Sequence, residues 1–475
     1  MDDTDVEGGS PKRHLSLRNG IGLVVGGIIG SGIFLTPNGV LEQSGSVGAA
    51  LAIWILAGLL SMGGALCYCE LGTCIPETGG EHAYFRRAFG PLSAFTFTWS
   101  LLLVVCPVSN ALISLTFARY AIKPFYGRHA EVPGGAEERL AVLAIAALTI
   151  INCISAKWAT RIADSFTALK LVAIGFLVLL GAAWVSKGNV SNFNEPFANT
   201  TLGASSFNLA FFQAIYPFTG WNYLNYVAGE MTDPARDLPL AVVYGLCLVI
   251  LCYLLCNLSY FAILSKKAIL ETKAIAVESM VKVIGDAGLI LGPLFVATSC
   301  WGAANSSIYT AGRVGHAAAL EGHMPKIFAL VHRQFGTPFI SLLFQGAMGI
   351  SFILLVDMTS LVLVFGFLTW TFFGMAFLAV LRLRQTEPDL ERPYKVNKFL
   401  AVFMVAASAL LVLSSLSQFP RECVGAIGFL LVGALTYYLL VKRQFAEAIT
   451  GQFSDRCVLL AQRLLPLELS TTSAK

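Results

Sequence analysis

Twelve stretches of this chain are apolar, long enough to cross a bilayer, and almost free of charge. They are 19–41, 43–69, 88–118, 140–156, 165–186, 196–229, 238–265, 287–312, 334–356, 358–381, 399–420 and 423–441, with Lys170 the one charged interruption. A bilayer core needs about 20 apolar residues in a helix. Lipid offers no partner to a backbone amide, so continuous runs of this length specify helices. The expected fold class is an all-α polytopic membrane protein with twelve transmembrane helices. Composition agrees: 13% of the 475 residues are charged, against roughly 25% in soluble domains.

An even number of spans puts both termini on one side. Of the 32 Lys and Arg residues, 22 lie at the termini or in loops on their side and 10 in the opposite loops. The excess marks the terminal side as cytoplasmic. Two Asn-x-Ser/Thr sequons, at Asn189 and Asn199, fall in a loop on the other side and are glycosylation candidates. Two more, at Asn257 and Asn305, lie inside apolar stretches and are out of reach. The first eighteen residues are polar and hold Lys12, Arg13 and Arg18, so no cleavable signal peptide is expected.

The domain reading follows: a cytoplasmic tail over 1–14, a single transmembrane domain over 15–443, and a cytoplasmic tail over 444–475. Within the second tail, Cys457 to Leu467 reads as an amphipathic helix interrupted by Arg463. Outer loops are short, which excludes an ectodomain. The net charge of +4 is spread over the cytoplasmic edges and gives no sign of nucleic-acid binding. Most of the eleven cysteines lie inside apolar stretches and read as small buried hydrophobes. No CxxC pair or Cys/His cluster has metal spacing, and His316, His323 and His332 are too far apart for one helical ligand set. No metal or cofactor is expected.

Two of the spans are damaged as helices. In the first, Val24 to Val40 holds five glycines in seventeen residues, with Gly30-Ser31-Gly32 at its centre. Glycine inside a helix costs about 0.5–1 kcal/mol relative to alanine. In the sixth, Tyr216 to Asn222 contains Pro217 and Gly220, and proline removes a donor and clashes with the preceding turn. Gly26 and Gly30 also form GxxxG, which suits close helix packing. The matching breaker five helices later favours instead two inverted five-helix repeats, helices 1–5 over about 17–186 and 6–10 over about 205–383, with helices 11–12 over about 399–442 following.

Unwound backbone at mid-membrane must face protein, water or ligand. The start of a resumed half-helix offers free N–H groups and a positive dipole end, suited to a carboxylate. The end of the preceding half offers free carbonyls, suited to an ammonium. A zwitterionic α-amino acid carries both groups.

The segments Gly26–Leu41, Glu70–Phe85, Gly220–Ala241, Glu321–Pro325 and Glu391–Val396, taken in order, resemble the L-type amino acid transporters, the light-chain branch of the amino acid–polyamine–organocation superfamily. The resemblance implies a leucine-transporter-type fold and sodium-independent exchange of L-amino acids by alternating access. It implies that Gly30, Ser31 and Gly32 bind the substrate carboxylate and that the carbonyls of Ile28, Tyr216 and Thr219 take its ammonium. Tyr216 matches the family's outer aromatic gate, and Trp221 with Asn222 would shape the side-chain pocket. Thr219 stands where related chains often carry glycine, which narrows the pocket.

Lys170 lies six residues past Asp164, about 9 Å along a helix. An intramembrane charge costs about 3 kcal/mol or more. Either it snorkels to the cytoplasm or, as the resemblance implies, its ammonium replaces a sodium ion between helices 1 and 8. Carbonyls near Gly27 and Ile28, with Asn305, Ser306 and Ser307, are the expected partners. Glu70, Glu230 and Asp233 sit at cytoplasmic helix ends and read as solvated or gate-network groups.

The family's light chains usually carry a cysteine in the outer loop after helix 3, linked to a glycoprotein heavy chain. Loop 121–139 has none, so a heavy chain at that position would be held non-covalently. Expected partners are thus an L-amino acid, membrane lipid and such a glycoprotein, and the expected location is the plasma membrane. The leading function is sodium-independent exchange of neutral L-amino acids. The alternatives are a proton-coupled or facilitative carrier of cationic or other amino acids, and a sensor that binds without transport. No nucleophile–base pair points to an enzyme.

Overall fold

Helix caps and breakers divide the chain where the apolar stretches end. A computed structural model describes residues 15–77, 79–126, 133–201, 203–272, 274–355, 358–442 and 451–469. The first stretch holds α1 (Leu17–Ile28), α2 (Gly32–Leu35) and α3 (Pro37–Ser44), and Gly45 ends α3 in the left-handed conformation at φ 75°. The Ser46 hydroxyl then accepts from Ala49 N and starts α4 (Val47–Cys74). After α5 (Glu81–Phe89), α6 (Pro91–Ser100) and α7 (Cys106–Tyr126) run almost continuously through a π-helical turn at Leu101–Val105. Next come α8 (Ala136–Ile154) and α9 (Ala156–Ser186), the latter capped by Ser155 on Trp158 N.

The sixth stretch forms α10 (Ala204–Ile215) and a single turn, α11 (Tyr223–Tyr226). Asp233 caps α12 (Pro234–Ile263) by accepting from Arg236 N. There follow α13 (Lys266–Glu271), α14 (Ile275–Ile284), α15 (Gly288–Leu320), α16 (Phe339–Leu355), α17 (Met358–Thr386), α18 (Lys398–Gln418), α19 (Pro420–Thr436) and α20 (Gly451–Leu464).

Every one of the twelve apolar stretches falls on one or more of these helices. Among the described residues, nine helical runs are long and apolar enough to cross a membrane, and α16 is a shorter apolar helix. Large apolar side chains such as Leu410, Leu413, Leu431 and Leu435 cover the exposed sides of α18 and α19, as lipid contact requires. The protein is an all-α polytopic membrane protein.

At the centre, α1 packs against α9, α12 and α15. The chain before α1 is stitched to the end of the sixth stretch, with Leu15 N donating to Glu230 O and Thr232 N to Leu15 O. A short ribbon departs from pure helix. Leu330–His332 (β1) pairs antiparallel with Leu467–Leu469 (β2), and Leu467 and Val458 bury against Leu330. The helix expected over Cys457–Leu467 runs instead over Gly451–Leu464, and the chain turns extended at Leu467 because β1 offers an open edge and an apolar face. The expected 1–14 tail lies outside the described residues.

Candidate functional site

Both damaged spans are broken. α1 stops at Ile28, Ile29 is extended at ψ 95°, and helix resumes at Gly32. In the sixth stretch α10 stops at Ile215, a 3-10 turn covers Tyr216–Phe218, Thr219 is extended, and Gly220 has φ 111°. The breaks touch. A Cβ on Gly220 would stand 2.8 Å from Gly27 O, and one on Gly32 would stand 2.6 Å from Pro217 Cβ. Only glycine supplies the left-handed backbone and the clearance together at position 220.

The packing reading of GxxxG holds as well. Gly26 lies against Thr167 of α9, and Gly30 against Ala303 of α15. The glycines serve close approach and the helix breaks among them.

Breaking a helix frees backbone carbonyls, and buried ones need donors. Lys170 Nζ donates to Gly26 O at 2.9 Å and Ile29 O at 2.6 Å. Its side chain is 0% exposed, so the ammonium turns into the protein and caps α1 at its negative dipole end. Ser299 Oγ lies 3.1 Å from Gly30 O and 3.4 Å from Ile29 O. Tyr253 OH lies 3.1 Å from Ile28 O and 3.0 Å from Pro217 O, bridging the two breaks. Thr219 N and Oγ1 both donate to Tyr216 O.

Two cavities meet at this point. The larger, about 420 Å³, opens toward the α18–α19 turn and is lined by Thr36, Tyr216, Thr219, Phe365 and Trp370 among others. The smaller, about 50 Å³, lies on the side of the termini and is lined by Glu81, Ser109, Thr219, Asn222, Tyr226 and Phe373 among others. Thr219, Phe365 and Thr369 line both. Tyr216 interacts with Ser31 and meets Phe365 edge-on.

Beyond the smaller cavity the terminal side is sealed by ion pairs. Arg313 Nε lies 2.8 Å from Glu230 Oε1, and Arg384 Nε 2.8 Å from Glu70 Oε1. Glu70 and Glu230 are thus each buried and paired with arginine, and Asp233 is a helix cap.

The expected residues separate into three settings. Ile28, Gly30, Ser31, Gly32, Tyr216, Thr219 and Asn222 come together at the breaks, with Lys170 beside them. Trp221 packs one layer behind the cavity, edge-on to Tyr68 and against Phe373. Asn305 accepts from Asn152 Nδ2 at 2.8 Å, joining α8 to α15, and Ser306 donates to Gly302 O in its own helix. From α15, Ser299 donates to the freed carbonyls of α1. A polar residue one or two turns before Asn305 carried no signal to distinguish it. Asn189 and Asn199 are both exposed.

Glu81 was not legible in the sequence. Its Oε1 accepts from Tyr68 OH and Asn222 Nδ2, each at 2.9 Å, and from Tyr226 OH at 3.3 Å. Its Oε2 is buried without a hydrogen-bond partner among the described residues. Burial pushes the carboxyl up to about 7, although the hydrogen bonds from Asn222 and Tyr68 favour its charged form.

Two helices broken face to face, with an ammonium lodged at one break and cavities on either side, define a membrane carrier of the broken-helix class. The chain belongs to the amino acid permease family, whose sequence model matches residues 15–441. It is 38% identical over 446 residues to the b(0,+)-type amino acid transporter 1 of Mus musculus, covering 94% of this chain and 91% of that one. It is 35% identical over 462 residues to the Large neutral amino acids transporter small subunit 2 of Oryctolagus cuniculus, covering 95% of this chain and 85% of that one. The protein is an amino acid transporter spanning the membrane several times, and not an enzyme.

Proposed function

We propose that this chain exchanges neutral L-amino acids across the membrane without sodium, by alternating access. The observation that carries the reading is the Lys170 ammonium on the carbonyls of Gly26 and Ile29. A fixed cation occupies the end of α1, where a free cation would otherwise be needed to satisfy those carbonyls. The substrate carboxylate would take the backbone N–H groups of Gly30, Ser31 and Gly32. Its ammonium would take Ile28 O, which keeps a lone pair beside Tyr253 OH, and Thr219 O, with Tyr216 O joining them once the Thr219 hydroxyl turns away. The side chain would point past Thr219 toward Asn222, with Tyr216 closing from the wider cavity. One relative is named for large neutral amino acids, which supports a neutral substrate.

The excess of Lys and Arg on the terminal face supports placing it in the cytoplasm, and the membrane is taken to be the plasma membrane. One relative is named a small subunit, which supports a larger partner. With no cysteine in loop 121–139, that glycoprotein partner would be held non-covalently.

One observation favours a second reading, carriage of cationic amino acids: the Glu81 carboxyl lines the smaller cavity, with Oε2 unpartnered among the described residues. Counterflow in proteoliposomes with the twenty amino acids, with sodium and pH varied, tests both. Leucine exchange indifferent to sodium is the expected result. Sodium-driven uptake overturns the primary reading, and arginine exchange without leucine exchange replaces it with the second.

A further inference from the structure

We propose that His82, Glu321 and His323 form a binding site for a divalent transition-metal ion of the zinc class on the terminal face of the protein. The sequence scatters these groups, but the fold gathers their ligand atoms to within 4.8 Å of one another. His82 belongs to the first turn of α5, and Glu321 and His323 follow the end of α15. The two imidazole rings stand 5.0 Å apart by centroid.

Two of the three ligands are already oriented from outside the cluster. His82 Nδ1 lies 2.7 Å from Thr98 Oγ1, while Nε2 lies 2.9 Å from Glu321 Oε2. With Nδ1–H donated to the Thr98 hydroxyl, the Nε2 lone pair is available to a metal, and such outer partners are the usual companions of ligating histidines. Arg86 holds the other carboxylate oxygen, Oε1, at 2.8 Å and is itself held by Glu77 at 3.0 Å. Oε2 thus remains for the cluster.

The third ligand supplies the independent evidence. His323 is 7% exposed, and its Nδ1 is buried with no hydrogen-bond partner among the described residues. A buried polar atom left unpaired is costly, and a metal would use that lone pair. Phe95 and Tyr437, whose rings stand 5.5 Å apart, both pack on the His323 ring, which restricts its alternatives. The Glu321 side chain is 23% exposed, so an ion has a route in from solvent.

Two imidazoles and a carboxylate are a zinc ligand set with one position left for water. Imidazole favours zinc, nickel or copper over magnesium and calcium. Ligand atoms around tetrahedral zinc stand about 3.3–3.5 Å apart, given metal–ligand bonds of about 2.0–2.2 Å, so the widest separation, at most 4.8 Å, must close by up to about 1.4 Å while His82 Nε2 and Glu321 Oε2 open from 2.9 Å by about 0.5 Å. A bound ion would tie α5 to the end of α15.

The test uses full-length protein carrying a histidine-free affinity tag. Zinc is titrated against a fluorescent chelator, and unfolding temperature is read with zinc and with magnesium. The expected result is one tightly held zinc per chain, a rise in unfolding temperature with zinc only, and at least tenfold weaker binding in His82→Gln and in His323→Gln. Zinc K-edge absorption of the wild-type complex should show two imidazole shells and no sulfur, a readout that does not depend on either variant folding. Zinc retained undiminished by both variants, a thiolate shell, or no stoichiometric zinc in wild type overturns the site.

Discussion

Gly32 and Pro217 meet where the two broken helices cross, so closely that a Cβ on Gly32 would stand 2.6 Å from Pro217 Cβ and 2.7 Å from its Cα. Neither atom belongs to a flexible side chain. Gly32→Ala must push the breaks apart, and overpacking of this kind costs about 1–3 kcal/mol. The expected outcome is a lower unfolding temperature and at least tenfold slower exchange. Gly425→Ala, where nothing lies within 4 Å of the added carbon, should leave both unchanged.

Lys170→Ala withdraws the donor from Gly26 O and Ile29 O. It also removes a fully buried charge, so the loss of hydrogen bonds is partly offset by relief of desolvation. The variant should fold with an unfolding temperature near that of wild type yet exchange at least tenfold more slowly. Normal uptake by this variant would retire the role given to the ammonium.

Tyr253→Phe keeps the ring packed and deletes the hydroxyl shared by Ile28 O and Pro217 O. Two buried carbonyls each lose a donor, at a cost of about 1–3 kcal/mol. Thermal melts and exchange rates should both fall, while Tyr244→Phe, at an exposed position, should change neither.

Glu230→Ala strands Arg313, whose guanidinium is nearly buried and lies over the Tyr309 ring. Breaking a buried pair from one side costs about 3–5 kcal/mol. The melt should shift far more than for Glu271→Ala, whose partner Lys267 is exposed and where such pairs contribute about 0–1 kcal/mol.

Particular residues show how far the sequence reaches. Gly30-Ser31-Gly32 and Pro217 with Gly220 announce both helix breaks, because those residue types disrupt a helix wherever they stand. Lys170 announces either a snorkelled head or a buried partner, because a lone charge in an apolar run needs one or the other, and the fold decides for the partner. The partner carbonyls fall at Gly26 and Ile29, flanking the expected Gly27 and Ile28. Backbone direction at a broken end follows from the cap geometry, and glycine spacing does not encode that.

Tertiary structure alone supplied the rest. Ser299 was picked from several small polar residues of α15 by the rotation of that helix against α1. Glu81 and His82 adjoin in sequence, yet Glu81 reaches Tyr68 and Asn222 while His82 reaches Thr98 and Glu321. Membrane span, helix identity and the two breaks are local properties, set by hydrophobic length and by backbone chemistry within a few residues. Which side chains satisfy the broken backbone, and that His82 faces His323 across 241 positions of chain, depend on how whole helices pack, and packing is decided by contacts that no local stretch contains.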